Sequence, residues 1–549
     1  MATILEAAEP HSTAPMGRLS ALPTPAEPIP QREIRRLVTI RKFIRPRRTI
    51  RILAASLNTI YTLLLCGVTC GQIVLDANFD HGSLDEANSS AVGSFVSLSG
   101  RDNFNPGDWK WIYFSAGNVE GLTPIFQIDD DFATGGGNLN DHEMVYSYDG
   151  QTWQFFDNNV RNASQDTFTF SNNQQFTQNE VFVAYGLPYS NGRVISHTAQ
   201  IATSPWVSPT GSGNSSLVIG QSPGGIDDLG RSIAPRDIFG YKITDPSVTG
   251  PKQKIALLGG VHSNETLGNY TLEGLVNFLV GDDFEAAQLR KQVEFYVYPM
   301  ANPDGRFAGY NRSTVQQVNN DPNRFWDSPL YGFMSDIKVV GDALLADTGG
   351  GVDYFIDFHS TVSGKDGHFG FVLPAFQSDP LWQNLLQLEP TISTRDASLI
   401  SLTAAKFGRD ELSAEFSITF ETQFIGGENV DRFHDLGENF GVAFNQALRV
   451  FADLNFDGQL DEQDWLQFIA SAETDLSELS AIDAYAAGDL DGDGVNSIVD
   501  FGLFEEAFVA THGAAGFAEL LSSIPEPTTL SQILIAVVLF NGRWANRPT

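Results

Sequence analysis

Residues 254–265 read Lys-Ile-Ala-Leu-Leu-Gly-Gly-Val-His-Ser-Asn-Glu. An apolar run of this kind, closed by two glycines, is the pattern of a strand buried on both faces. Downstream, Leu272, Leu275, Val276 and Leu279 recur at helical spacing across 267–279, and Val293-Glu-Phe-Tyr-Val-Tyr-Pro gives a second buried strand. Strand, helix and strand in that order predict an α/β sheet. Tyr354-Phe-Ile-Asp-Phe supplies another strand of the same texture. His262 and Glu265 then fall on the loop between the first strand and its helix. That is the carboxyl edge of the sheet, where α/β proteins assemble their sites.

An imidazole and a carboxylate three residues apart can face one ion, but alone such a pair is a weak signal. More pieces follow along the chain. The second strand ends in Asn302-Pro-Asp-Gly-Arg, followed by Arg312 and by Asp321-Pro-Asn-Arg-Phe-Trp. A later strand delivers Asp357-Phe-His359-Ser-Thr, and another ends in Ser417-Ile-Thr-Phe-Glu421-Thr. A catalytic zinc takes three nitrogen or oxygen ligands and leaves one position open. His262, Glu265 and His359 fill that count, with Glu421 free to act as a base. The other histidines (His81, His142, His197, His368, His434, His512) read as surface or hydrogen-bonded structural residues.

This order of motifs resembles the zinc metallocarboxypeptidases, and most of all their cytosolic carboxypeptidase-like branch. The resemblance covers roughly residues 75–450, including a β leader around Trp109–Ile128 and Tyr185-Gly-Leu-Pro-Tyr189. It implies zinc on His262, Glu265 and His359, with Asp321 orienting the first histidine. It implies Arg312 as stabiliser of the oxyanion, Asn323 and Arg324 as the grip on a substrate's terminal carboxylate, and Glu421 as general base. Lys406 and Arg409 stand ahead of Glu421, where a specificity pocket is expected, and read equally well as solvated surface.

Upstream, 73–240 alternates short aromatic and β-branched runs with Asn, Gly and Asp clusters, the texture of an antiparallel sandwich. Downstream, two near-copies of one loop stand 36 residues apart, beginning at Asp453 and Asp489. An EF-type loop offers oxygens at positions 1, 3, 5, 7, 9 and 12, with glycine at 6. The first copy supplies Asp453, Asn455, Asp457, Gln459 (carbonyl), Asp461 and Asp464, and the second Asp489, Asp491, Asp493, Val495 (carbonyl), Ser497 and Asp500. A duplicated loop ending in Asp resembles a type I dockerin, which implies two structural calcium ions and a cohesin-type partner, or else a calcium-stiffened spacer.

Both ends look like sorting signals. The first 71 residues carry ten Lys or Arg against four Glu, with an apolar stretch after Arg51 running to Cys66 and Cys70. A basic region, an apolar region and small residues are the parts of a secretory signal. Both cysteines lie inside it, so the processed chain is expected to have no disulfide. The other end reads Ile524-Pro-Glu-Pro, then an apolar run over 533–540, then Arg543 and Arg547. It resembles the Pro-Glu-Pro sorting signal of bacterial exported proteins. A net charge of −34 excludes nucleic acid as a natural partner, because the body repels phosphate backbones.

The expectation is therefore a secreted or cell-surface protein of the bacterial envelope, touching membrane only through its terminal sorting segments. Its parts are a basic extension and signal (1–72), a β-sandwich leader (73–240), an α/β mixed-sheet carboxypeptidase-like domain (241–450), a small α-helical calcium-loop domain (451–515) and a sorting tail (524–549). The expected activity is zinc-dependent hydrolysis at peptide or protein C-termini. Two rivals stay open: a zinc amidase or deacylase of N-acyl amino acids or cell-wall peptides, and an inactive cell-surface binding module.

Overall fold

The computed structural model describes residues 71–523, apart from 104–108, 130–138, 212–214, 318–319, 327–334, 362–366, 399, 401 and 424–426. The basic extension with both cysteines and the Pro-Glu-Pro tail lie outside the described residues. Among the described residues no helix is long and apolar enough to cross a membrane.

The apolar run ahead of His262 forms the strand Gln253–Gly259, at the centre of an eight-stranded mixed sheet. It pairs in parallel with Val293–Tyr298 on one side and Tyr354–Ser360 on the other. Phe416–Thr422 extends the parallel core beyond Tyr354–Ser360. Tyr241–Ile243 and Phe369–Val372 join antiparallel at the two flanks, which makes the sheet mixed. Both faces are covered, so the strand alternates between two cores. Ile255 and Leu257 pack with the helices Leu267–Val280 and Val430–Leu448, whereas Ala256 and Leu258 pack with Ser335–Thr348 and Ala404–Asp410. This two-sided burial is why the strand reads as continuously apolar rather than alternating. The helix Leu267–Val280 lies so close to the sheet that a Cβ on Gly268 would meet the His359 carbonyl oxygen at 2.6 Å. Glycine there is a packing requirement, and it seats the helix start directly on a site strand.

The chain before residue 185 forms two five-stranded sheets. Their inward side chains, including Val96, Phe114, Phe126, Phe168, Val181 and Val183, share one core. That core also takes in Leu267, Tyr270, Met300 and Phe433, so the β region is fused to the α/β sheet's helical layer.

Beyond the helix Val430–Leu448 come three more helices, Glu462–Ala470, Ala481–Ala486 and Ile498–Ser523, the last broken at Gly513. They enclose a core of Leu454, Trp465, Phe468, Tyr485, Phe504 and Phe508. The two acidic loops precede the first and third of these helices. Each folds by the same hydrogen bonds. The first carboxylate of each loop accepts the N–H of position 6 (Gly458, 2.8 Å; Gly494, 2.9 Å), and the last accepts those of positions 2 and 3. Gly458 and Gly494 sit at φ +84° and +85°, which explains glycine at position 6.

Candidate metal centre

The ligands predicted from sequence meet at the carboxyl edge of the parallel strands. His262 and Glu265 lie on the loop leaving Gln253–Gly259, and His359 lies at the end of the adjacent strand. All three are buried, at 3%, 6% and 2% exposure. His262 Nδ1 lies 2.8 Å from Glu265 Oε1, His359 Nδ1 lies 2.7 Å from Glu265 Oε2, and the two Nδ1 atoms are 3.0 Å apart. One donor atom from each residue thus falls within a 4.8 Å group.

Each imidazole turns its other nitrogen to a carboxylate. His262 Nε2 is 2.8 Å from Asp321 Oδ1, and His359 Nε2 is 2.8 Å from Asp357 Oδ2. A neutral ring that donates to its carboxylate through Nε2–H would turn its Nδ1 lone pair inward, toward a metal. Two inward lone pairs and a carboxylate are a donor set suited to zinc. Burial opposes ionisation of Glu265, yet His262 and His359 outweigh it and hold its carboxyl well below the usual range. Burial likewise opposes protonation of His359, while Asp357 and Glu265 raise its pKa well above the ordinary value.

Asp321, in contact with His262 through Oδ1, also holds Arg312, whose Nε donates to Asp321 Oδ2 at 3.0 Å. Arg312 Nη1 reaches Glu265 Oε1 at 2.9 Å, and the side chain keeps 22% exposure toward solvent. Asp357 lies two residues before His359 on the strand Tyr354–Ser360. Its signal was present, because residues two apart on a strand share a face.

Glu421 is aligned directly beside His359 on the neighbouring parallel strand. Its Oε2 is buried with no hydrogen-bond partner. Burial, reinforced by the negative charge of Glu265, pushes its carboxyl up to about 8, against the pull of His359 and Arg312. A buried carboxyl with an unused oxygen beside three convergent donors is equipped to take up and release a proton.

The expected grip on a terminal carboxylate divides in two. Arg324 is 46% exposed, donates to the Asn323 carbonyl at 2.8 Å and stands 3.9 Å from Asp321. Asn323 is instead buried beneath the site. Its Nδ2 donates to Asp357 Oδ2 at 3.1 Å and its Oδ1 accepts the Ala404 N–H at 2.8 Å. The same Nδ2 stands 3.0 Å from His359 Nε2, so in this structure Asn323 supports His359 and its partner Asp357. Lys406 pairs with Asp410 one helical turn on, Arg409 donates to the Ala405 carbonyl, and both side chains are half-buried.

In the C-terminal loops, Asp489, Asp491 and Asp493 bring carboxylate oxygens within 4.8 Å of one another. In the first loop Asp453 is pushed up to about 6 by burial and by Asp464 and Asp457.

Residues 225–336 match the family described as zinc carboxypeptidase. That segment holds His262, Glu265, Arg312, Asp321, Asn323 and Arg324, whereas His359 and Glu421 lie beyond it. Cytosolic carboxypeptidase 6 of Homo sapiens is 26% identical over 208 residues, covering 37% of this chain and 39% of the human protein. This chain thus spans about two fifths of that relative's length. Among solved structures, a metallo-carboxypeptidase from Burkholderia cenocepacia matches with a TM-score of 0.57 at 22% identity, covering 68% of this chain and 98% of that one. A metallo-carboxypeptidase from Pseudomonas aeruginosa matches with a TM-score of 0.53 at 20% identity, over 68% and 98%. The segment that builds most of the metal centre thus matches the zinc carboxypeptidase family, and the fold around it is similar to that of solved metallo-carboxypeptidases.

Proposed function

We propose that this chain is a zinc-dependent carboxypeptidase that removes residues from peptide C-termini. The observation that carries the reading is the convergence of two Nδ1 atoms and a carboxylate beside the unused oxygen of Glu421. When bound, zinc supplies a Lewis acid for a carbonyl and acidifies water to a pKa near ~7. The chain's residues do the rest. Asp321 and Asp357 fix the two histidine rings. Glu421 accepts the proton of the attacking water and passes it to the leaving amine. Arg312, held by Asp321 and Glu265 beside the centre, would face the charge that develops on the scissile carbonyl oxygen. Arg324 stands ready for the substrate's terminal carboxylate, which a planar guanidinium can hold with two parallel hydrogen bonds.

The test compares free-acid peptides with their C-terminal amides. A charged hydrogen bond contributes about 1.5–3 kcal/mol, or roughly ten- to a hundredfold in kcat/KM. The half-exposure of Arg324 keeps the expectation in that range. Free acids should be trimmed one residue at a time while amides react ten- to a hundredfold more slowly, and Arg324→Ala should close most of that gap. Equal cleavage of amides, or hydrolysis of N-acyl amino acids alone, would replace this reading with an amidase or deacylase.

We further propose that the acidic loops bind calcium and that the protein acts outside the cytoplasm, through the terminal segments already described. Support for calcium is the repeated loop geometry with position-6 glycines at positive φ. A cohesin-type partner would dock on this module. Immunodetection of the protein in culture supernatant and envelope fractions tests the location, and recovery only from the cytoplasm would refute it.

A further inference from the structure

Arg306 is a buried cation, 0% exposed, and no part of the site described above requires it. Its Nη2 lies 3.3 Å from the carbonyl oxygens of both His262 and Glu265 and 2.8 Å from Asn269 Oδ1. Its Nη1 donates to the Tyr189 carbonyl at 2.7 Å, across from the β region. Burial pulls its pKa down to about 10, against Tyr189, Asp80 and Glu265, so it remains charged at neutral pH. A desolvated guanidinium is costly, and this one makes no direct ion pair closer than 4 Å among the described residues. It is held by neutral carbonyls, two of which belong to metal ligands.

The ligand loop depends on such tethers. Asn302 donates to the Val261 carbonyl, Ser263 N–H and Oγ bond Arg312 and Ser313, and Asn264 reaches the Lys110 carbonyl. The segment holding the loop is held in turn by the β region. The His81 N–H donates to the Phe307 carbonyl, Arg101 donates to the Ala308 carbonyl, and Asn311 Oδ1 accepts the Lys110 and Trp111 N–H groups. Gly309 passes so near Gly82 that a Cβ would meet its carbonyl at 2.1 Å.

We propose that Arg306 is a positioning residue through which the N-terminal β region sets the spacing of His262 and Glu265 at the metal centre. A single guanidinium nitrogen, shared among three acceptors, touches both ligand carbonyls, so the place at which the planar fork holds it bears on how far apart their side chains start. Lysine can keep the charge but cannot span four acceptors. The proposal rests on the reading of His262, Glu265 and His359 as metal ligands.

The experiment measures zinc affinity by chelator competition, and the visible spectrum of the cobalt-substituted full chain, for wild type, Arg306→Lys and Asn269→Ala. Losing a partner that orients metal ligands typically lowers affinity by about 10–100-fold. Arg306→Lys should weaken zinc within that range and alter the cobalt spectrum, with Asn269→Ala shifting both in the same direction by less. Near-ultraviolet circular dichroism of the metal-free proteins should stay unchanged. Wild-type affinity and spectrum in both variants would overturn the proposal. So would unfolding of both, because Arg306 would then be holding the fold rather than the ligands. A wild-type protein that binds neither ion would instead overturn the ligand reading itself.

Discussion

The metal centre and the acidic loops both gather carboxylates, but they are built in opposite ways. The centre draws His262, Glu265, Asp321, Asp357, His359 and Glu421 from across the chain and pairs nearly every charge with another side chain. The C-terminal loops draw their carboxylates from twelve consecutive residues and satisfy them with their own backbone N–H groups. The first arrangement exists only when the sheet has formed. The second is local, and its folding depends on whatever neutralises the remaining oxygens. Perturbing one should therefore leave the other standing.

The largest effect should come from Glu421→Gln. The amide keeps the shape and removes proton acceptance, so turnover should fall by about 10²–10⁴-fold. Zinc content, measured by atomic absorption after gel filtration, should stay at the wild-type level. Near-normal turnover would place the base elsewhere.

Next is Asp357→Asn. The amide can no longer hold the His359 Nε2 proton as a carboxylate does, so zinc affinity should weaken by about 10–100-fold. The comparison sharpens if the acidic loops are then probed: their protease resistance in calcium should be unaffected by this substitution.

Calcium removal attacks the other region. The loop carboxylates repel one another without a cation, and any ion that binds only the folded form stabilises it. Limited proteolysis with chelator should cut within 453–510, whereas calcium should protect that stretch and residues 73–450 should resist in both. A chelator that also strips zinc confuses the outcome, so a calcium-selective one is used. Identical digestion patterns would count against calcium.

How much of this was legible depended on whether a residue's role is local. The central strand and its two-sided burial could be read because apolar runs report burial directly. His262, Glu265, His359, Asp321 and Glu421 could be read because their motifs sit at strand ends, where position along the chain dictates position at the sheet edge. The contact of Asn323 with the Ala404 N–H, 81 residues away, carried no sequence signal, because only the fold brings the two together. Arg306 carried no signal, since its partners Tyr189 and Asn269 are brought together only by the packing of the β region on the helix Leu267–Val280. Asp357 was readable in principle from strand periodicity.

A buried carboxyl with one oxygen unpartnered among the described residues completes the comparison. Asp336 lies in the first turn of the helix Ser335–Thr348, 1% exposed, and its Oδ1 has no hydrogen-bond partner. Burial, together with the nearby charge of Asp304, pushes its carboxyl up to about 7. The folded protein therefore holds a proton that the unfolded chain releases near its ordinary value of ~4. Stability from this group is fully present below that value and is lost as pH rises toward 7, by up to about 1.4 kcal/mol per pH unit. Asp336→Asn stays neutral throughout, so its stability relative to wild type should improve between pH 5 and 7 and then level off. Urea unfolding midpoints of the two proteins at pH 5, 6, 7 and 8 measure that difference. A gap that does not change with pH would mean that Asp336 is ionised in the folded state and that an unrecognised partner compensates its charge.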